Sequence, residues 1–238
     1  MDLSIVIPAY EESKKIARDV EAAAAFLHDN NLTGEIIVVD DGSRDNTAEA
    51  AKVDVSNDIE LKIIRYGKHS GKGYAVRKGI TQSTGRYVMF ADSGNCVPYQ
   101  DTLRGLELIK NGTCDIAHGS RKTRDCHIEK AQNIYRRICS RIFHWFVINI
   151  MKIPAELTDT QCGFKIYIGD IARELYSENI TDGFTFDIEI ILRAMQKSYR
   201  IKEFPLDWTC DPDTRLSPTR SIRRVLAELW KIKKNLSR

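Results

Sequence analysis

Four short apolar runs, Leu3–Ile7, Glu35–Val39, Leu61–Arg65 and Arg86–Ala91, alternate with Glu12–Asp29, Asp45–Val53 and Gly71–Gln82, which have helical spacing or Ala-rich composition. Parallel neighbours need a crossover, and a helix is the usual one, so this rhythm predicts an α/β fold. The expected architecture is a mostly parallel, Rossmann-like sheet flanked by helices. Ligands of such sheets bind beyond the carboxyl ends of the strands. The residues directly after each run are therefore the ones to inspect.

Those residues are polar and specific in type. The first run is followed by Pro8-Ala9-Tyr10-Glu11-Glu12 and the second by Asp40-Asp41-Gly42-Ser43. Gly67 to Gly73, with Lys68 and Lys72, follows the third, and Asp92-Ser93-Gly94-Asn95 follows the fourth. Any one cluster is explained by helix capping and turn formation. Four in succession point to one rim built for a ligand. Further along, Cys114–His118 reads as a strand ending in Gly119-Ser120-Arg121, and a long helical stretch runs from Glu129 to Met151. Asp159-Thr160-Gln161-Cys162-Gly163-Phe164-Lys165, a helix over Phe186–Gln196, a strand near Arg200–Phe204 and a basic terminal helix complete the chain.

With 238 residues and 42% hydrophobic content the chain can bury one sizeable core. The expected division is one domain over 1–215 and a basic helix over 216–238 packed on or near it. The formal charge of +3 is too mild for a nucleic-acid binder, but from Arg215 onward Glu228 is the lone acid among many cations. The six cysteines form no C-x-x-C pair and are expected as free thiols in a reducing compartment. No leader-like segment precedes Leu3, and the apolar patch from Trp145 to Met151 is far shorter than a membrane span. The expected location is cytoplasmic, with contact to the membrane only at its surface.

Carboxylates at strand ends accept hydrogen bonds from a base N–H or a ribose hydroxyl, which suits Asp40 and Asp41, with Pro8 and Tyr10 as a wall. A diphosphate needs a cation. Asp92 is the candidate ligand of Mg²⁺ or Mn²⁺, which take oxygen ligands and sit between carboxylates and substrate phosphates. Gly71-Lys72-Gly73 covers only half of a phosphate loop.

The segments 6–12, 38–43, 71–79 and 91–92, in this order, resemble the motifs of family 2 glycosyltransferases, which have the GT-A fold. Gly119-Ser120-Arg121, the 159–165 segment, Phe186-Asp187-Ile188-Glu189 and Trp208 are similar to the dolichyl and polyprenyl phosphate glucosyl- and mannosyltransferases, the glucosyl members foremost. The likeness spans about residues 3 to 235. It implies a nucleotide-sugar donor bound by Pro8, Tyr10, Glu12, Asp40 and Lys72, with metal at Asp92. It also implies a polyprenyl phosphate acceptor received by Arg121 and Arg136, Asp159 and Gln161 near the sugar, and Lys165 near the phosphates. The glucosyl-like motifs favour a UDP-sugar over a GDP-sugar.

One departure stands out. The family's D-x-D pair has lost its second acid to Gly94, which weakens an all-protein metal cage. Mg²⁺ can still rely on one carboxylate, waters and substrate phosphates. A phosphate acceptor is already ionised near neutrality, so a single inverting displacement needs alignment and charge neutralisation rather than a strong base. A hydroxyl acceptor would need a base, with Asp159 first and Asp187 or Glu189 next. The alternatives are a family 2 enzyme acting on a glycan hydroxyl, or a sugar-nucleotide binder without turnover.

Apolar residues at 134, 138, 142 and 146, beside Arg137 and Arg141, describe a basic amphipathic helix that could lie in a membrane interface. The tail repeats the pattern with Ile222, Val225, Leu226, Leu229 and Trp230 against Arg223, Arg224, Lys231, Lys233 and Lys234. Peripheral membrane contact is expected, and oligomerisation is left open.

Overall fold

A computed structural model describes residues 1–123, 127–128, 143, 145–209 and 218–236. The first half follows the expected rhythm: β1 (Leu3–Ala9), α1 (Ile16–Asp29), β2 (Gly34–Asp40), α2 (Thr47–Ala50), β3 (Ile59–Arg65), α3 (Lys72–Thr81) and β4 (Tyr87–Ala91). After a 3₁₀ turn at Tyr99–Asp101 come α4 (Thr102–Lys110), β5 (Ile116–Ser120) and β6 (His127–Ile128). A helical stretch over 145–151 (α5) follows. β7 (Phe164–Ile168), α6 (Gly169–Ser177), α7 (Phe186–Gln196), β8 (Ile201–Pro205), β9 (Asp207–Trp208) and α8 (Pro218–Leu236) close the sequence.

Seven strands form one sheet in the order β3-β2-β1-β4-β7-β5-β8, and β6 pairs with β9 apart from it. β1 pairs parallel with both β2 and β4, while β7 is antiparallel to β4 and β5. The reversal of β7 has a functional consequence. Ala91, last in β4, faces Phe164, first in β7, so residues 159–163 reach the rim where the parallel strands end.

Alternation along β1 divides the core. Leu3, Ile5 and Ile7 face one side with Val20 and Leu27 of α1 and Leu106 of α4. Val6 faces the other with Val76 of α3, Leu175 of α6 and Phe186 of α7. This is the period-2 side-chain pattern of a strand buried on both faces. A third cluster joins Val147 and Met151 of α5, Ile188 and Ile191 of α7, and Leu229 and Ile232 of α8. Burying each such side chain contributes roughly 1.5–3 kcal/mol, which seats the basic terminal helix. Thr185 Oγ1 adds a hydrogen bond to Glu228 at 2.5 Å.

Three expectations shift. The helix expected over 45–53 shrinks to α2, and the Asp45 carboxylate accepts the Thr47 amide at 3.1 Å in the turn that leads into it. The strand expected at 114–118 forms two residues later, and β7 was not expected as a strand. Of the helix expected over 129–151, the residues at 145–151 are helical and 129–142 lie outside the described residues, Arg136 among them. Among the described residues, no helix is long and apolar enough to cross a membrane.

Candidate active site at the carboxyl rim of the sheet

At the left of the rim, Pro8 is buried inside β1 and the Tyr10 ring lies 4.1 Å from the His69 ring, so the expected wall has a second face. The loop after β1 is tied to the loop after β2: the Glu11 amide donates to Ser43 Oγ at 2.8 Å and the Glu12 amide to Thr47 Oγ1 at 2.8 Å. The consecutive acids Asp40 and Asp41 do different work. Asp41 accepts the amides of Ser70 and Gly71 at 2.7 and 2.9 Å and lies 2.8 Å from His69 Nδ1, so it shapes the loop that leads into Lys72. Asp40 accepts the Ser43 amide through Oδ1, while its buried Oδ2 makes no hydrogen bond and lies 3.3 Å from Arg65 Nε. A buried carboxylate oxygen with spare acceptor capacity is suited to a base N–H.

Lys72 opens α3, so its ammonium adds to the positive end of that helix. Its Nζ lies 2.6 Å from Asp92 Oδ1 and near the faces of Phe90 and Phe186. Burial alone would lower the Lys72 pKa, but the charges of Asp92 and Asp187 outweigh it and hold the ammonium protonated. On the far side of Asp92, a Cβ at position 163 would come within 2.0 Å of Oδ2, so Gly163 is what lets the carboxylate lie there. Among the described residues no three His, Cys, Asp or Glu side chains gather as a metal cage. The Asp92 side chain is 42% exposed. That donor set fits an ion held by one carboxylate and completed by substrate phosphates and water, and it does not fit a structural metal.

On the right, Arg121 grips Asp159 with both prongs, Nε to Oδ2 at 2.7 Å and Nη2 to Oδ1 at 2.8 Å, and adds its amide at 3.1 Å. The guanidinium lies 5.4 Å from the Trp208 ring centre. Burial pushes the Asp159 carboxyl up, but the hydrogen bonds and charge of Arg121 prevail and hold it below its ordinary range. Glu203 of β8 secures the pair from behind, accepting the Asp159 amide at 2.7 Å and the Thr158 hydroxyl at 2.6 Å. Gln161 donates to the carbonyl of Phe184 at 3.2 Å.

Lys165 lies under this rim rather than in it. It is 1% exposed, and its ammonium donates to the carbonyls of Cys162 and Thr160 and to Asp187 at 2.5 Å. With its donors spent it braces the 160–163 turn. Burial pushes the Asp187 carboxyl up despite Lys165 and Lys72. Glu189 accepts the amides of Ile180 and Thr181 and the Asn179 side chain, and pairs with Arg193, so it organises the loop before α7. The structure thus gathers Pro8, Tyr10, Glu12, Asp40, Asp41, Lys72, Asp92, Arg121, Asp159 and Gln161 at one rim. His69 lies in the 67–73 segment already expected at the rim and Glu203 in the strand expected near 200–204, but the sequence assigned neither side chain a role in the site.

The comparisons with known proteins agree with this geometry. The glycosyl transferase family 2 model matches residues 4–176. A dolichyl-phosphate beta-glucosyltransferase of Dictyostelium discoideum is 29% identical over 253 aligned positions, covering 97% of this chain and 77% of the relative. Its Homo sapiens counterpart is 30% identical, covering 91% and 70%. Among solved structures, glucosyl-3-phosphoglycerate synthase of Mycobacterium tuberculosis, in complex with Mn²⁺, UDP and phosphoglyceric acid, superposes with a TM-score of 0.74 at 17% identity, covering 97% of this chain and 78% of that one. A structure of the same synthase carries Mg²⁺ and UDP, with a TM-score of 0.71 at 18% identity. A parallel sheet with its acids and cations at the carboxyl rim, and a family model spanning most of the chain, place this protein in glycosyl transferase family 2, as a glycosyltransferase of the GT-A fold.

Proposed function

We propose that the chain transfers glucose from UDP-glucose to a polyprenyl or dolichyl phosphate, with inversion, at the cytosolic surface of a membrane. The observation that carries this reading is the Arg121–Asp159 pair. A hydroxyl acceptor needs a base, and Asp159 is the acid nearest that role; doubly hydrogen-bonded to a guanidinium and held below its ordinary range, it is a poor proton acceptor. A phosphate acceptor needs no base and benefits from a permanent cation, which Arg121 supplies. The names of the similar proteins support the same acceptor.

In this reading Asp40 Oδ2 takes the uracil N–H and the Tyr10–His69 wall flanks the base. Lys72, at the N-terminus of α3, neutralises the diphosphate. A divalent ion held by Asp92 would supply Lewis-acid stabilisation of the leaving diphosphate. Arg121 holds the acceptor oxygen opposite, so the chain aligns the reacting groups and balances charge at both ends.

The membrane reading rests on α8 and α5. Leu226, Trp230, Trp145 and Ile150 are exposed, and Lys231, Lys233 and Lys234 share the last turns of α8. Aromatic and basic residues on one helix suit an anionic lipid interface. Incubation with labelled UDP-glucose and a short polyprenyl phosphate, followed by solvent extraction, tests the function. Label in the organic phase that depends on the lipid phosphate is expected. Label that stays aqueous on a glycan acceptor would reject it, and GDP-mannose serves as the donor control.

A further inference from the structure

The loop after β4 carries Asp92, yet its course is set from a different element. At the position where the family's second acid would stand, Gly94 adopts φ +102 and Asn95 φ +48, a left-handed turn that disfavours most side chains. The Gly94 peptide does not point idly. Its N–H donates to Asp19 Oδ2 at 2.8 Å, and its carbonyl accepts from Arg18 Nη2 at 3.3 Å. Both partners belong to α1, and they hold the two peptide units that flank the Gly94 Cα.

Asp19 is 1% exposed, and its second oxygen, Oδ1, is buried without a hydrogen-bond partner. A buried carboxylate with an orphaned oxygen lowers stability, and a core position of an amphipathic helix is better filled by an apolar residue. The neighbouring α1 positions Val20, Ala23 and Leu27 are apolar and fully buried. An acid kept in that company needs a reason, and among the described residues its carboxylate accepts a hydrogen bond from the loop that carries Asp92. At the other end of the loop, the Asp92 amide donates to the Gly163 carbonyl at 2.8 Å. Asp92 is thus fixed from one side by the 163 turn, and the loop beyond it is fixed by α1.

We infer that Asp19 is a positioning residue for the donor site: by holding the Gly94 peptide it sets the path of the 92–95 loop, and so the direction of the single carboxylate that faces the donor diphosphate. Where the family uses two acids, this chain uses one acid, and an acid from outside the site clamps the loop two residues beyond it. The inference rests on the donor-site reading given above.

The test uses the full chain, Asp19→Ala, and Asp19→Asn, which keeps one side-chain acceptor for the Gly94 amide. Two quantities are measured: amide hydrogen exchange across 92–96 without ligand, and UDP affinity by calorimetry with and without Mn²⁺. For Asp19→Ala we expect loss of protection across 92–96 and Mn²⁺-dependent UDP binding weakened about tenfold, the scale of one hydrogen bond to a charged group. Binding without Mn²⁺, which draws on the base pocket at Asp40, stays within twofold. Asp19→Asn stays within threefold throughout. Equal weakening with and without Mn²⁺, or unchanged exchange across 92–96, overturns the inference. If Asp19→Ala does not fold, an Asn variant with exposed 92–96 amides overturns it, and protected amides with retained Mn²⁺ dependence support it. A wild-type chain that binds UDP under neither condition overturns the donor-site reading itself.

Discussion

Arg121 and Asp159 form a two-pronged ion pair at 2.7 and 2.8 Å, one wall of which is the face of Trp208. The geometry demands arginine, because only a planar fork meets both carboxylate oxygens while its charge stays near the ring. Arg121→Lys is expected to lower turnover about 100-fold, the scale of losing an oriented electrostatic contact in a transition state. UDP affinity should stay within threefold, since the donor pocket lies across the rim. Steady-state kinetics with calorimetric UDP binding checks this; equal losses in both would place Arg121 with the donor.

Lys72 and Asp92 are 2.6 Å apart at the expected diphosphate position. Asp92→Asn should remove the Mn²⁺ dependence of UDP binding and leave metal-free binding unchanged. Lys72→Met should weaken UDP about tenfold under both conditions, the order expected for one charge-assisted contact. A thermal shift titrated with UDP, with and without Mn²⁺, separates the two outcomes. Persistent Mn²⁺ dependence in Asp92→Asn would move the metal elsewhere.

Asp19 gives a stability signature. Burial, set against the Gly94 amide and the Arg18 charge, pushes its carboxyl up from 3.8 to about 6, with Glu12, Lys15 and the Tyr99 hydroxyl as its other charged or titratable neighbours. An acid that titrates higher in the folded chain binds its proton more tightly there. It supports the fold at low pH, and that support is lost as pH rises from 3.8 to about 6, by roughly 3 kcal/mol at most. Asp19→Asn should therefore melt higher than wild type at pH 7.5, with the gap closing toward pH 4. An identical gap at both pH values would contradict this titration.

Trp230 is 67% exposed on α8, with Lys234 Nζ 5.2 Å from its ring centre, while Leu229 and Ile232 on the opposite side are buried. Trp230→Ala should reduce flotation with anionic vesicles at physiological salt several-fold and leave UDP binding unchanged, because a Trp side chain can be lost from an interface without disturbing the core. Undiminished flotation would remove α8 from the contact.

Much of this site is legible in the sequence because parallel strands export the residues that follow them. Asp40, Lys72 and Asp92 are spread over more than fifty positions, yet strand order brings them together. What the sequence hides is direction. Asp40 and Asp41 look equivalent as text, but one keeps a spare buried oxygen and the other is consumed by the loop at 69–71. Lys165 reads as a ligand because lysines seldom lie buried; here an antiparallel strand takes it beneath the rim, and Asp187 with two carbonyls satisfies it. Asp19 carries the opposite disguise, since an acid among the apolar positions of a helix gives no sign of the distant peptide it holds.

The most direct test of the central claim is the linkage in the product. Phosphorus-coupled proton NMR of the lipid extract made from UDP-α-glucose reports both the atom glucosylated and the anomer formed. A β-glucosyl phosphate is expected from the proposed single displacement, in which Arg121 and Lys72 would neutralise opposite ends. An α-glucosyl phosphate, or glucose attached to a hydroxyl, would contradict it.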